Sequence, residues 1–392
     1  MNVPLLDLKP QLAELREEML ESVTRVIDST RYIMGPEVEA FEQEVADYSG
    51  SACAIGVSSG TDALLIALMG LDIGHGDHVL TTPYSFFATI GVILRLGAVP
   101  VFADIDPVSF NIDPAQIDDI LQKDTDKKIK AIIPVHLYGQ CADMQNILAL
   151  AEKYGVPVVE DAAQAIGSDI VLTRNGNSTW HRAGSCGIAG CFSFFPSKNL
   201  GGIGDGGMVI TQDEAFAAKL KKLRNHGAHP KYYHSLVGGN FRLDPVQATV
   251  LRIKLKHLEA WHRERRNNAD QYNKLFDAAG LSKDSPVSLP QAVYRDQAGS
   301  DGKINYHIYN QYIIRAQGRD ELREWLGKNN IGSEVYYPLA LHQQECLKDI
   351  VEIPSLPYAE KAAKETVALP IYPELTLEMQ EYVVKSIRDF YR

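Results

Sequence analysis

Between Ile55 and Val209 the chain alternates short apolar runs with stretches of helical periodicity. The runs His78–Thr82, Val99–Asp104, Ala131–His136, Val156–Glu160 and Gly207–Thr211 are mostly continuous rather than alternating. A strand that is apolar on both sides must be covered on both faces, as in a parallel sheet between helices. The pattern therefore predicts an α/β domain around a mainly parallel sheet, preceded by a helix from Pro10 to Ile27. At Asp244-Pro245 the pattern changes. Asp is a good N-cap and Pro is preset for the first helical turn, so a long helical segment opens there and runs towards Ala279. Beyond it the sequence predicts a strand at Ile308–Ile314, a helix at Arg319–Lys328 and a final helix. In that last helix Met379, Tyr382, Val383, Ile387 and Phe390 share one face, with Thr376 as cap. The expected division is a large domain over residues 1–254 and a smaller α/β domain over 255–392.

Composition narrows the function classes. A chain of 392 residues has room for two or three domains. A net charge of −11, spread along the chain, excludes the basic face that nucleic acid requires. The N-terminus lacks the cationic and apolar regions of a signal peptide, and no apolar run reaches the ~18–20 residues of a membrane span. The five cysteines are scattered, and the close pair Cys186 and Cys191 is not C-x-x-C. Reduced thiols in a cytoplasmic protein without a metal site are the expectation.

Several constellations carry chemistry. Glu160-Asp161-Ala162-Ala163-Gln164 follows an apolar strand, and an acid at such a strand end lies where α/β folds place ligands. Pyridoxal phosphate (PLP) needs a carboxylate against its pyridine nitrogen, to keep the ring an electron sink. Asp161 suits that task, and Gln164, a helical turn on, suits the ring hydroxyl. An aromatic run ending at Ser193-Phe194-Phe195 enters a turn with Lys198 and five glycines, Gly201 to Gly207. A lysine in a low-dielectric site has a lowered pKa and becomes nucleophilic. The glycines follow the lysine and lead into a strand, which excludes both a dinucleotide fingerprint and a P-loop. Ser58-Ser59-Gly60-Thr61-Asp62 opens a helix, whose N-terminal amides suit a phosphate provided the Asp62 carboxylate turns away. Phe86 and Phe87 follow the strand His78–Thr82, where a ring could stack on a flat cofactor. Gly238-Gly239-Asn240-Phe241-Arg242 precedes the long helix, and Arg suits a carboxylate or phosphate. Each segment alone also has an ordinary reading: Asp161 as a helix cap, Lys198 in a surface loop, Phe86 and Phe87 in a core, the Asn240–Arg242 stretch as a surface loop. Together they supply every part of a PLP site in a workable chain order.

The chain resembles the DegT/StrS-type sugar aminotransferases, which are fold-type I PLP enzymes. The likeness extends over nearly the whole chain, through SSGTDAL, HLYGQCADM, EDAAQAIGS, SFFPSKNLGGIGDGG, GGNFRLDPVQA, YYPLALH and LPIYP. It implies a large domain with a mainly parallel seven-stranded sheet and a smaller C-terminal α/β domain. It implies Lys198 as the Schiff-base lysine and proton shuttle, Asp161 as the pyridine partner and Gln164 near the ring hydroxyl. It also implies Phe87 as the stacking ring, and Gly60, Thr61, Asp62 and Ser193 around the phosphate. Asn240 matches a phosphate ligand donated by the other subunit of a homodimer. Arg242, His307 and Tyr309 fall in stretches that meet substrate.

The implied reaction moves an amino group from L-glutamate, leaving 2-oxoglutarate and pyridoxamine phosphate, to a nucleotide-linked ketosugar. The loop Gly204-Asp205-Gly206-Gly207 resembles enzymes of 3-keto hexoses and 3-keto uronates; a 4-keto-6-deoxy sugar is the alternative. Aminosugar and surface-polysaccharide synthesis fit such a product. Lys198 argues against a sugar dehydratase, whose relatives carry His there, and the intact set argues against a regulatory protein that merely keeps the fold. Two departures stand out: Ile166 replaces the His of several relatives, and Ile170–Gly184 exceeds the usual hairpin, as a surface loop or a substrate flap.

Overall fold

The computed structural model of the protein describes residues 1–282, 285–299, 302–348, 350 and 355–392. Two helices, α1 (Lys9–Ser29) and α2 (Pro36–Ser49), precede a regular alternation. It runs β1 (Cys53–Val57), α3 (Gly60–Gly70), β2 (His78–Thr81), α4 (Ala88–Arg95), β3 (Val99–Phe102), α5 (Pro114–Lys123), β4 (Ile129–Ile133), α6 (Met144–Tyr154) and β5 (Val159–Asp161). A hairpin, β6 (Asp169–Arg174) and β7 (Asn177–Arg182), interrupts it before β8 (Ala189–Ser193), β9 (Gly207–Thr211) and α7 (Glu214–Arg224).

Strands β3, β2 and β4 pair in parallel, as do β5 and β8, while β9 is antiparallel to both β8 and β1. Parallel bridges Ile132–Val158 and Val135–Asp161 join β4 to β5. The result is one seven-stranded sheet in the order β1-β9-β8-β5-β4-β2-β3, in which β9 alone runs backwards. Adjacent residues of a strand face opposite cores: Val209 packs with Ile55, Val79, Ile133 and α3, whereas Met208 and Ile210 pack with Leu80, Ile132 and α2. Two covered faces are why these strands read as unbroken apolar runs.

The helical segment after Asp244 is two helices, α8 (Pro245–Leu255) and α9 (Leu258–Ala278), broken at Lys256-His257. The Asp244 carboxylate caps α8 by accepting the Val246 amide at 2.7 Å. Beyond the break, α9 runs from one hydrophobic core to another. Leu258 and Trp261 at its start belong to the large core, and Ala269, Tyr272 and Phe276 belong to a second core. That second core surrounds the antiparallel sheet β10 (Val287–Ser288), β11 (Tyr312–Ala316) and β12 (Thr366–Leu369). Helices α10 (Arg319–Lys328), α11 (Pro357–Glu365) and α12 (Leu377–Phe390) complete this part. Val3 is also buried there, bonded through its backbone to Asn330 and Gly332, a return of the N-terminus that the sequence pattern does not reveal.

The strand expected from Ile308 begins instead at Tyr312. Residues 305–311 are spent on crossing bonds: the Ile308 amide donates to the Gly139 carbonyl at 2.9 Å, and Tyr309 takes a positive φ of 44°. The long Ile170–Gly184 stretch is the ordered β6–β7 hairpin. Asn175 and Gly176 turn it with φ of 52° and 78°, the Asn-Gly signature of a tight two-residue turn. It lies on α6, with the Thr173 amide bonded to Gln145 Oε1 at 2.6 Å and Leu172 in the core.

Candidate active site

Four elements of the expected site leave carboxyl ends of parallel strands and so meet at one edge of the sheet. Gly60 follows β1, Phe87 follows β2, Asp161 ends β5 and Lys198 follows β8. That edge is where open α/β sheets hold ligands.

Asp161 is buried, and its two oxygens are held from different directions. Thr89 donates its hydroxyl to Oδ2 at 2.8 Å, and the Ala163 amide donates to Oδ1 at 3.2 Å. Ser85 Oγ lies 3.0 Å from Thr89 Oγ1 and extends the chain of hydroxyls. Burial raises the Asp161 pKa, against the pull of these donors and of the Lys198 and His136 side chains. Lys198 is near enough to feel it: withdrawal from water brings the ammonium down to about 8, opposed by attraction to Asp161. A buried acid and a half-buried lysine thus sit within electrostatic reach of one another, each shifted towards neutrality.

The neighbouring acid has a different task. Glu160 Oε2 accepts His136 Nε2–H at 2.8 Å and the Gly184 amide at 2.9 Å, while Oε1 accepts the Cys186 and Gly187 amides, each at 2.7 Å. His136 Nδ1 accepts the Ala142 amide at 3.0 Å, which fixes the tautomer with hydrogen on Nε2. Glu160 is thereby fully used in holding the turn after the hairpin against β5, and Asp161 is the acid left for a ligand.

The start of α3 forms an anion cradle. Ser59 Oγ caps the helix by accepting the Asp62 amide at 3.0 Å, and the Ser58 and Ser59 hydroxyls hold Asp62 Oδ2 at 2.6 and 3.0 Å. The Asp62 carboxylate is accordingly folded back, and the Gly60 and Thr61 amides are the open donors of the helix start. Gly60 is required: a Cβ there would stand 2.6 Å from Ser193 Cβ and 3.1 Å from its hydroxyl. Ser193 therefore sits against the start of α3. Phe87 begins α4 with its ring exposed, as is that of Phe86, so neither is a core residue.

Gln164 is already engaged: its Oε1 accepts the Tyr138 amide at 2.7 Å and its Nε2 donates to the Tyr337 hydroxyl at 2.9 Å. An amide nitrogen carries two hydrogens, so one donor remains for a cofactor hydroxyl. Asn240 is exposed, on a segment whose next residue, Phe241, accepts the Ser58 amide at 3.0 Å. Arg242 is half-buried, backbone-bridged to Val57, and its Nε is buried without a partner among the described residues.

His307 and Tyr309 require a correction. Both are buried, their rings stack at 3.8 Å, and His307 Nδ1 accepts the Tyr309 amide at 3.0 Å. Tyr309 is a member of the small-domain core. Packing uses both rings, so neither offers a surface to a substrate. The backbone between them does reach the lysine loop, because Asn199 Nδ2 donates to the Ile308 carbonyl at 3.1 Å.

Sequence reasoning missed Thr89, His136 and Tyr337. Thr89 follows Phe86 and Phe87 closely, but a partner 72 positions away leaves no local signal. Among the described residues there is no metal-binding cluster and no helix long and apolar enough to cross a membrane.

The family model of the DegT/DnrJ/EryC1/StrS aminotransferases matches residues 13–388. The chain belongs to this family. It is 47% identical to a pleiotropic regulatory protein of Geobacillus stearothermophilus, over 100% of this chain and 99% of that one. It is 41% identical to the UDP-N-acetyl-3-dehydro-alpha-D-glucosamine 3-aminotransferase of Acidithiobacillus ferrooxidans, over 98% and 97%. The crystal structure of NtdA from Bacillus subtilis with its bound cofactor PMP superposes with a TM-score of 0.86 at 30% identity, covering 98% of this chain and 84% of that one. The protein is a PLP-dependent sugar aminotransferase of fold type I. The site fits that cofactor: amides at α3 for its phosphate, Asp161 for its ring nitrogen, a spare Gln164 donor for its hydroxyl and the Lys198 amine for its aldehyde.

Proposed function

We propose that the enzyme moves an amino group from L-glutamate to a nucleotide-linked 3-keto hexose or 3-keto uronate, yielding an aminosugar and 2-oxoglutarate. The observation that carries this is the placing of Asp161, at the end of β5, and Lys198, after the paired strand β8, together on the ligand edge of the sheet. Bound PLP supplies an electron sink for the carbon that loses its proton. Asp161 Oδ1 and Oδ2, oriented by Ala163 and Thr89, hold the ring nitrogen protonated. Lys198 Nζ, neutral above a pKa of about 8, takes the proton from the glutamate α-carbon and returns a proton to the sugar carbon. Phe87 would cover one face of the cofactor ring, and Gly60, Thr61 and Ser193 would hold its phosphate.

The exposed Asn240 reaches the phosphate of the partner subunit in a cytoplasmic homodimer, with Arg242 beside it. The 3-keto preference is supported by the Acidithiobacillus relative's name and by the Gly204–Gly207 loop. Surface-polysaccharide synthesis is a fitting destination for such a product. The Geobacillus relative's name brings up a regulatory reading, but a protein kept only for its fold has no need of Lys198 and Asp161 together on the ligand edge.

The test is glutamate-dependent release of 2-oxoglutarate with UDP- and dTDP-linked 3-ketosugars and 4-keto-6-deoxy sugars. Turnover with a 3-ketosugar alone is expected. Turnover confined to the 4-keto substrate overturns the regiochemistry, and no half-reaction with any amino donor overturns the activity.

A further inference from the structure

The loop that carries Lys198 is a compact turn. The Lys198 amide donates to the Phe195 carbonyl and the Gly202 amide to the Phe194 carbonyl, each at 2.8 Å. A Cβ on Gly201 would stand 2.3 Å from the Pro196 carbonyl oxygen, so the turn closes tightly on itself. Three side chains fasten it from outside. Asn199 ties it to Ile308, and Gln247 Oε1 accepts the Ile203 amide at 2.9 Å. From α8, Lys254 Nζ donates to the Gly201 carbonyl at 2.6 Å.

Lys254 is the unusual member. Its side chain is buried, 7% exposed, and it makes no ion pair among the described residues. Burial alone brings its ammonium down to about 8, with no acid opposing it. A buried cation without a carboxylate destabilises a fold, and a well-packed apolar residue of similar size is often neutral or better. The stability of α8 therefore does not account for a lysine here. Its short bond to a carbonyl three residues from Lys198 does.

We infer that Lys254 is a positioning residue for the transamination: it pins the Gly201 carbonyl and so holds the Lys198 amine in its half-buried place near Asp161. The inference rests on Lys198 being the cofactor lysine. When the pin is lost, the turn loosens towards solvent. Lys198 then loses part of the burial that lowers its pKa, and the cofactor loses part of its grip.

The test uses full-length apo-protein in two readouts besides turnover. One is the pH midpoint for modification of Lys198 by an amine reagent, followed by peptide mass mapping. The other is PLP affinity by fluorescence titration. Lys254→Met is expected to melt no lower than the parent, to bind PLP about tenfold more weakly and to raise the Lys198 midpoint by about one unit. A purely structural lysine would change the melting temperature and leave the Lys198 midpoint in place. Lys254→Gln, polar but shorter, is expected to change both readouts in the same direction and serves if Lys254→Met is insoluble. Unchanged PLP affinity together with an unchanged midpoint, in either variant, overturns the inference. Borohydride reduction of the parent holoenzyme separates the two readings. A phosphopyridoxyl label away from Lys198 overturns the cofactor assignment, whereas a label on Lys198 with silent Lys254 variants overturns this inference alone.

Discussion

The Thr89 hydroxyl lies 2.8 Å from Asp161 Oδ2, joining the first turn of α4 to the end of β5 across the ligand edge of the sheet. Asp161 could rotate about its χ2, but this bond and the Ala163 amide hold the carboxylate plane in one orientation. Thr89→Val keeps the shape and removes the donor from a buried acid. Hydrogen bonds to charged groups contribute about 1.5–3 kcal/mol. Urea denaturation of the apo-protein is expected to show a loss of that order. PLP affinity is expected to fall by about tenfold.

The Lys198 pKa determines how the apo-protein takes up its cofactor. An ordinary lysine at 10.5 is almost wholly protonated at pH 7, whereas one near 8 leaves about a tenth of its amines free. The rate of PLP capture should therefore rise through pH 8 and level off, not keep climbing to 10.5. Asp161 attracts the ammonium and holds the pKa up, so Asp161→Asn should move the midpoint below that of the parent. Stopped-flow absorbance across pH 6 to 10 reads both; a midpoint near 10 would contradict a lowered Lys198 pKa.

Gly60→Ala introduces a methyl group 2.6 Å from Ser193 Cβ, so one of the two must shift and the amides at the start of α3 move with it. PLP affinity measured by equilibrium dialysis is expected to drop more than tenfold. Ser193→Gly in the Gly60→Ala background should recover part of it, because the clash is with that side chain. No recovery would show that the backbone, and not Ser193, closes the cradle.

If Asn240 serves the partner's phosphate, two inactive variants should complement. Lys198→Ala and Asn240→Ala homodimers are each impaired at both sites. Unfolded and refolded together in equal amounts, half of the dimers are mixed, and each mixed dimer has one site with both residues intact. About a quarter of all sites should then be restored. Activity equal to the mean of the two variants would place Asn240 in its own subunit's site.

Where chemistry is local, this site is legible from sequence. Asp161 follows an apolar strand, Gly60 opens a helix, and Lys198 stands before a glycine string, and each is placed as its neighbours suggest. The residues that make them work were hidden because their partners are distant. The sequence singles out Asp161 without saying what its neighbour Glu160 does; the His136 imidazole and the amides of Gly184, Cys186 and Gly187 use up Glu160. Nothing in the sequence marks Lys254 as buried, because burial has no periodic signature in a single side chain. His307 and Tyr309 failed in the opposite way. Their segment does reach the lysine loop, but through the Ile308 carbonyl, and side-chain chemistry does not report which residue of a crossing strand lends its backbone. The α8–α9 break at Lys256-His257 was invisible for a similar reason, since neither residue is a helix breaker.

The central claim is that Lys198 holds the cofactor and exchanges it for the donor's nitrogen. Borohydride reduction of the resting holoenzyme, followed by peptide mapping, addresses it directly. A single phosphopyridoxyl group on Lys198 is predicted, and prior incubation with L-glutamate should abolish it while releasing one equivalent of 2-oxoglutarate per site. A label on any other lysine, or a Lys198 label that glutamate leaves intact, would contradict the account.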